Sequence, residues 1–302
     1  MDTIAVDPYY TLIVATLVLL VGRLMVDRIK FLQDFNIPEP VAGGLLAAVI
    51  IYILHVSTGV SFAFDKGLQD SFMLIFFSSI GLSADFSRLK AGGVGLVLFL
   101  LVVSAFIVVQ NVVGVGLAGA LGLDPIIGLV TGSITLTGGH GTAGAWGKVL
   151  EEQHHIVGAT DLGMASATFG LVLGGLIGGP VARKLVNKMG MKPSAKAAQA
   201  HDTADTAIDD VFEHAHQRRL ITANAAVETM ALFAACLAFS ALMTTPEVKS
   251  FLPSWFTLPQ FVWALLFGVL LRNFLTSAFK VNMFDRAIDV FGNASLSIFL
   301  GI

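Results

Sequence analysis

Eight apolar segments, each close to the length of a membrane span, constrain this chain more than any other feature of its sequence. A transmembrane helix needs about 20 apolar residues. The segments lie at about 9–26, 40–56, 68–84, 93–121, 160–182, 220–243, 258–275 and from near 290 onward. Only 13% of the residues are charged, against about 25% in soluble domains. The sequence therefore predicts an all-α, polytopic membrane protein.

The charge and the cysteine content argue against several other classes. The formal net charge is −3, and no basic patch is interleaved with aromatic residues, so no nucleic-acid partner is expected. The single cysteine, Cys236, excludes a disulfide framework and a cysteine metal cluster. The N-terminus lacks the basic region of a signal peptide, so we expect the first apolar segment to be retained.

One segment, residues 125–147, is poor material for a helix that faces lipid. It contains seven glycines and the sequence "TLTGGHGTAGAW" from Thr135 to Trp146. Irregular backbone at membrane depth is tolerated only where protein or a water-filled cavity satisfies its polar groups. We therefore expect a re-entrant hairpin with "TGGHGT" at its tip, buried against neighbouring helices.

The distribution of lysine and arginine supports this topology. Cytoplasmic loops collect positive charge. With the N-terminus outside and 125–147 re-entrant, all but three of the 18 cations face the cytoplasm; the exceptions are Lys66, Lys148 and Lys249. If 125–147 crossed the membrane fully, every later loop would change side and this bias would be lost.

Two parts of the chain resemble each other. "FNIPEPVAGGLL" from Phe35 aligns with "FTLPQFVWALLF" from Phe256 at a constant offset. The first unit, 1–186, holds five full crossings, and an odd number inverts the second unit, 220–302, relative to the first. A polar cytoplasmic linker at 187–219 joins them.

The same offset predicts how a complete inverted repeat would continue. It predicts a chain of about 400 residues with a second glycine-rich segment near position 360. We therefore expect the second repeat to be incomplete within residues 1–302, and we expect these residues alone not to transport.

The hairpin tip is the candidate substrate site. Glycines allow positive φ and close backbone approach, so N–H groups can point at an anion, and a half-helix that begins there adds its positive dipole end. The candidate substrate-binding residues are Thr135, Thr137, Gly138, Gly139, His140, Gly141 and Thr142. The alternative is a glycine-rich packing interface between helices. His140 could equally brace the hairpin instead of contacting a ligand.

Three further polar residues are candidates for binding Na⁺. Gln110 and Asn111 lie in the middle of a charge-free run from Ala91 to Leu123, and Ser133 lies one turn from the tip. Their oxygens suit a hard cation that prefers oxygen ligands. The alternative for the two amides is an interhelical hydrogen bond that holds the bundle together.

Three motifs together give the chain a resemblance to a known family. "IPEPVAGGLL", "GSITLTGGHGTAGAW" and "ATFGLVLGGLIGGPVARKLV" occur in this order and resemble the bacterial sodium/glutamate symporter family. The resemblance implies uptake of glutamate across the bacterial inner membrane, with Na⁺ as the coupling ion and no other cofactor. It also implies two inverted five-helix units with re-entrant loops, a homodimer and an elevator-like movement. The family's first glycine-rich loop corresponds to residues 138–142.

Other functions fit parts of the sequence. A di- or hydroxycarboxylate carrier of related architecture and a channel with a pore loop would both use a glycine-rich hairpin. An intramembrane hydrolase would need a nucleophile and a base, and Ser133 with His140 is the pair at hand. Nothing in the sequence orients that histidine, so no enzymatic activity is expected.

Overall fold

A computed structural model shows a chain built almost entirely from α-helices. It describes residues 3–34, 37–188, 221–251, 253, 258–280 and 283–302. Phe35 and Phe256, which begin the two similar stretches, and positions 189–219 of the predicted linker lie outside these residues. The helices are α1 (Pro8–Arg28), α2 (Lys30–Asp34), α3 (Glu39–Thr58), α4 (Lys66–Ser83), α5 (Phe86–Ala120), α6 (Pro125–Leu129), α7 (Gly139–His154), α8 (Ala159–Lys188), α9 (Ala223–Met243), α10 (Pro246–Phe251), α11 (Gln260–Ala278) and α12 (Asp285–Gly301).

Six of the described helices are long and apolar enough to cross a membrane. The six stretches are Pro8–Arg28, Glu39–Thr58, Leu89–Ala120, Ala159–Ala182, Ala223–Met243 and Gln260–Ala278. They correspond to six of the eight predicted spans, with ends that differ by a few residues. The chain is therefore an all-α, polytopic membrane protein.

The other two predicted spans, 68–84 and the one from near 290, form helices that do not meet this apolar criterion. They are α4, with 18 residues, and α12, which has 17 residues and begins at Asp285, earlier than predicted. Both pack within the bundle, since α4 packs against α11 and α12, and α12 also packs against α1 and α3. A helix enclosed by protein can carry the serines and acidic residues that a lipid-facing span excludes.

The core of the bundle forms around α4. Met73, Phe77, Phe261 and Phe299 pack in one buried cluster that joins α4, α11 and α12, and Ala145 adds the surface of α7. Glycines allow a close crossing between α4 and α11. A Cβ atom at Gly81 would lie 2.1 Å from the carbonyl oxygen of Leu265.

Two short parallel strands, which the sequence did not predict, lie beside the end of α4 that carries Asp70. Strand β1 (Thr3–Ala5) pairs with β2 (Ser61–Ala63). The Thr11 hydroxyl accepts from the backbone N–H of Asp65 at 3.1 Å. These contacts hold the N-terminal residues next to the connection that leads into α4.

A buried cation lies at the other end of α4. Arg272 on α11 is 5% exposed and forms ion pairs with Asp285 and with Asp85, whose Oδ2 lies 3.5 Å from Nη2. The backbone N–H of Ser87 donates to Asp85 and lowers the pKa of that carboxyl, and the charge of Arg272 acts in the same direction. Asn273, next in the chain, donates to the carbonyl oxygen of Ala84 at 2.8 Å. The start of α5 is therefore fastened to α11.

Helix α5 is broken at Gly93, where φ is 54° and ψ is −148°. This conformation is accessible almost only to glycine, because a Cβ atom would clash with the backbone. The break separates the fastened first turns of α5 from the long apolar stretch that follows. It coincides with the predicted start of the fourth span at 93.

Gly93→Ala should lower the thermal stability of the purified protein in detergent. A residue with a Cβ atom at this φ and ψ costs about 1–3 kcal/mol. Gly95→Ala is the matched control, because a Cβ at Gly95 meets open space and its φ is not positive. Alanine favours helix there, so the control should melt at or above the parental temperature. Equal melting temperatures for the two variants would contradict the break.

Arg272→Leu should destabilise the protein far more than removal of a peripheral cation. Loss of one partner of a buried ion pair costs about 3–5 kcal/mol, because the remaining charges stay buried. Here both Asp85 and Asp285 would lose their cation. Arg23→Leu, at an exposed position of α1, is the control and should change the melting temperature little. A parental melting temperature for Arg272→Leu would refute the structural role of this pair.

Candidate functional site

The candidate site lies where residues 125–154, called here the broken segment, meet α5 and α8. Asp124 caps α6 by accepting from the backbone N–H of Ile126 at 2.8 Å, and Pro125 suits the first helical position. A π-helical turn, Val130–Ile134, continues α6 and contains non-helical backbone at Gly132. Helix α7 then begins at Gly139. The segment thus has two helical arms joined by a tip.

The tip presents backbone donors. Gly138 caps α7 without a side-chain hydrogen bond, and Gly139 has a φ of +77°. The N–H groups of Thr137 and Gly138 both donate to the carbonyl oxygen of Ser133, at 3.3 and 3.0 Å. The next N–H groups, at the start of α7, have no partner within their own helix, and the positive end of the helix dipole lies among them.

The three threonines of the tip have different partners. Thr135 is buried, and its hydroxyl donates to the carbonyl oxygen of Val130 at 2.7 Å. Thr142 donates to the carbonyl oxygen of Gly139 at 3.3 Å. Thr137 is exposed and reaches a different helix, because its hydroxyl donates to Oε1 of Gln110 on α5 at 2.8 Å. The structure therefore brings Thr137 and Gln110 together.

Asn111, next to Gln110, carries a buried oxygen without a donor. Its Oδ1 has no hydrogen-bond partner in the part of the chain that the structure describes. A Cβ atom built on Gly132 would lie 3.6 Å from this oxygen, so it faces the break of the π-helical turn. Ser133 follows Gly132 in that turn and is half-buried. Among the described residues, no group of three or more His, Cys, Asp or Glu side chains could hold a metal ion.

The glycines of the motif divide into two groups. A Cβ atom would lie 2.6 Å from Phe76 at Gly141 and 2.4 Å from Phe299 at Gly144, so these glycines let α7 pack closely on α4 and α12. At Gly139 a Cβ atom would meet nothing within 4 Å. The packing interpretation therefore fits Gly141 and Gly144 in the α7 arm, whereas Gly139 at the tip is distinguished by its positive φ.

His140 contacts a residue that the sequence analysis did not single out. Its Nε2 lies 3.0 Å from the hydroxyl oxygen of Thr168 on α8. Thr168 belongs to the glycine-rich third motif, in which a lone hydroxyl gives no signal of its own. Ser133, the candidate nucleophile for a hydrolase, is not the residue to which His140 hydrogen-bonds.

Two cavities flank the tip. One, of about 620 Å³, lies between α3 and α8, and His140, Asp161 and Thr168 are among its lining residues. The other, of about 970 Å³, lies between α5 and α8 and includes Gln110 and Thr131. Both are large enough for a small organic ligand, since such pockets span roughly 300–1,000 Å³.

The chain matches known proteins along almost its whole length. Residues 4–302 match the sodium/glutamate symporter family. The chain is 48% identical over 296 residues to a sodium/glutamate symporter of Haemophilus influenzae, covering 97% of this chain and 70% of that protein. It is 45% identical over 302 residues to the proteins of the same name from Escherichia coli and Shigella flexneri, covering 98% of this chain and 71% of each.

No solved structure gives a significant match to the chain. The family match alone spans nearly every residue, including the broken segment, α5 and the cavity that contains His140 and Thr168. This family consists of transporters and not of enzymes. The chain therefore belongs to the sodium/glutamate symporter family.

Proposed function

We propose that the protein is a secondary transporter that takes up glutamate together with Na⁺ at the tip of the broken segment. The observation that carries the site is the hydrogen bond between Thr137 and Gln110. It joins the uncapped start of α7, which suits an anion, to the part of α5 where the buried Asn111 oxygen suits a cation. The proposed positions of the substrate carboxylate and of Na⁺ are therefore adjacent.

A carboxylate of the substrate would bind at the start of α7. Gly138 and Gly139 allow close approach to the backbone, and the dipole of α7 favours negative charge there. The hydroxyls of Thr137 and Thr142 lie on either side of these glycines along the chain. Thr135 and Gly141 would contribute indirectly, since Thr135 braces the break and Gly141 packs on Phe76.

Na⁺ would bind beside the break in the π-helical turn. Asn111 Oδ1 is an acceptor that lacks a donor, and a buried polar group without a partner is costly. A cation would satisfy it without any rearrangement of the helix. Gln110 precedes Asn111 in α5, and Ser133 follows Gly132 in the π-helical turn that Asn111 faces. Both would offer further neutral oxygens to the ion.

The broken segment would be a re-entrant hairpin that enters and leaves from one side. The apolar stretch Pro125–Ile134 has ten residues, and about 15 Å of helix reaches only half of a hydrocarbon core of about 30 Å. Lys148, in the second half of α7, forms an ion pair with Asp70 near the start of α4. A segment that crossed the membrane fully would place Lys148 on the opposite side of the membrane from Asp70.

The same contacts favour an N-terminus on the periplasmic side of a bacterial inner membrane. Strand β1 pairs with β2 at the Asp70 end of α4, so the N-terminus lies on the side of Lys148. Arg272 and Arg286 belong to the opposite end, near Asp85. Since cytoplasmic ends collect positive charge, the Asp85 end would face the cytoplasm.

An inverted repeat, with units at 1–186 and 220–302, is supported by matching helix contacts. α1 packs on α3, and α9 packs on α11; α4 meets α9, and α12 meets α1. Pro38 caps α3, and Pro259 caps α11, at equivalent places in the similar stretches. The homodimer and the elevator-like movement are carried over from the family resemblance.

One uptake assay, carried out with different substrates, distinguishes this proposal from its alternatives. Labelled glutamate is supplied to membrane vesicles that contain the protein at its full natural length, with and without an inward Na⁺ gradient. Saturable uptake against a glutamate gradient, dependent on Na⁺, would support a symporter and exclude a channel. Uptake of di- or hydroxycarboxylates in preference to glutamate would favour the related carrier and contradict the proposed substrate.

Thr137→Val should raise the KM for glutamate in this assay by roughly 5- to 150-fold. The variant keeps the side-chain shape but removes a donor to the bound carboxylate, and a charged group buried in the loaded site without that partner costs about 1–3 kcal/mol. Thr16→Val, on an exposed surface of α1, is the matched control and should keep the parental KM. A parental KM for Thr137→Val would remove Thr137 from the site.

The re-entrant topology predicts that residues 3 and 153 face the same side of the membrane. Single cysteines at Thr3 and Gln153, both exposed, are introduced in a Cys236→Ala background. An impermeant thiol reagent added to intact cells with a permeable outer membrane should label both positions. Labelling of one position from outside and the other only after lysis would contradict the hairpin.

A further inference from the structure

The hydrogen bonds around Thr168 determine which nitrogen of His140 carries a proton. The Thr168 hydroxyl lies 2.9 Å from the carbonyl oxygen of Met164, one turn earlier in α8, and donates to it. A hydroxyl has one proton, so while it donates to Met164 its oxygen can only accept at the 3.0 Å contact with Nε2 of His140. In this arrangement Nε2 is the protonated nitrogen, and the Nδ1 of a neutral ring is an acceptor.

An acceptor at this position suits a different part of the substrate from the backbone donors of the tip. We propose that His140 Nδ1 accepts a hydrogen bond from the α-ammonium group of the amino-acid substrate, and that Thr168 positions the ring for this role. The inference rests on the proposed transport of glutamate and deepens it. It assigns Thr168 as a positioning residue that determines specificity for an amino acid over a plain dicarboxylate.

The surroundings of the ring agree with a cationic group. His140 lines the 620 Å³ cavity, and of the described residues that line it, Asp161 is the one with a carboxylate. Asp161 and Thr168 lie on one face of α8, two turns apart, about 10 Å along the helix. At that distance the carboxylate does not contact the same group as Nδ1, but its field favours positive charge in the cavity.

The position of His140 in the chain fits the arrangement of an amino acid. Gly139 and His140 are adjacent at the start of α7, and the carboxylate and ammonium groups of an α-amino acid share one carbon. A carboxylate held by the first N–H groups of α7 therefore has its ammonium group within reach of the next side chain. Na⁺ is a poor alternative occupant, because a hard cation prefers oxygen to imidazole nitrogen.

The competing role for His140 is donation from Nδ1 to a substrate carboxylate. That tautomer would make Nε2 the acceptor, and the Thr168 hydroxyl would have to turn away from Met164 to donate to it. The two roles differ in a measurable way. If His140 contacts the ammonium group, loss of the contact lowers the affinity for glutamate but not for glutarate, which has the same two carboxylates and no amine. If His140 contacts a carboxylate, loss of the contact lowers both affinities.

The test measures the KM for glutamate and the inhibition constant of glutarate in Na⁺-driven uptake by the full-length protein. Thr168→Val removes the oxygen that accepts from Nε2 and should raise the KM for glutamate about 10-fold, with the glutarate constant unchanged. Thr168→Ser keeps the oxygen and should restore the parental ratio. Ser166→Ala, which removes a hydroxyl from the other face of α8, should also keep that ratio.

A second variant separates positioning from packing. His140→Leu removes Nδ1 and should lower the preference for glutamate over glutarate at least as much as Thr168→Val does. Combined with Thr168→Val it should add no further loss, because Thr168 acts through His140. Thermal melting of each variant checks that it is folded.

The outcomes are distinguishable. Parallel loss of glutamate and glutarate affinity in Thr168→Val, or an unchanged ratio in both Thr168→Val and His140→Leu, would overturn the inference while the parental protein still transports glutamate. Absence of Na⁺-driven glutamate uptake by the parental protein would overturn the proposed function and this inference with it. A selective loss for glutamate that Thr168→Ser reverses is the expected result.

Discussion

The structure depends on satisfying the backbone of one broken helix. Inside a bilayer an unpaired N–H or C=O group costs several kcal/mol, and the broken segment interrupts its helical ladder between α6 and α7. Its own residues replace some of the lost backbone hydrogen bonds: Thr135 donates to the carbonyl oxygen of Val130, and the carbonyl oxygen of Ser133 accepts two hydrogen bonds. The rest of the protein supplies the enclosure, since α7 is packed on α4, α8 and α12.

That enclosure explains why one motif contains glycines with two different roles. Gly141 and Gly144 are required because the aromatic rings of Phe76 and Phe299 occupy the space where a Cβ would lie. Gly139 is required because of its positive φ, in a place where a side chain would have room. The α7 arm is therefore held against the core, while the tip that it carries stays open.

Much of this could be predicted from the sequence, because apolar length and polar residues in apolar runs are local signals. They located six spans, the broken segment, and Gln110 and Asn111 beside it. They failed where tertiary packing decides the outcome. Thr168 gave no signal because its partner, His140, is 28 residues away, on another helix. The short β1–β2 pair has no alternating pattern that would have revealed it.

The geometry of the tip also gives a physical reason for coupling in the proposed mechanism. Donors at the start of α7 and acceptors on α5 meet at the Thr137–Gln110 hydrogen bond, so an anion and a cation bound there would attract each other across a short distance. Each ligand would raise the affinity for the other by the same factor, because linkage is reciprocal. In the proposed site, Na⁺ would satisfy the unpaired Asn111 oxygen, and the site would bind the carboxylate more weakly without it. The requirement for both ligands would then follow from local electrostatics, with no long-range signal between separate sites.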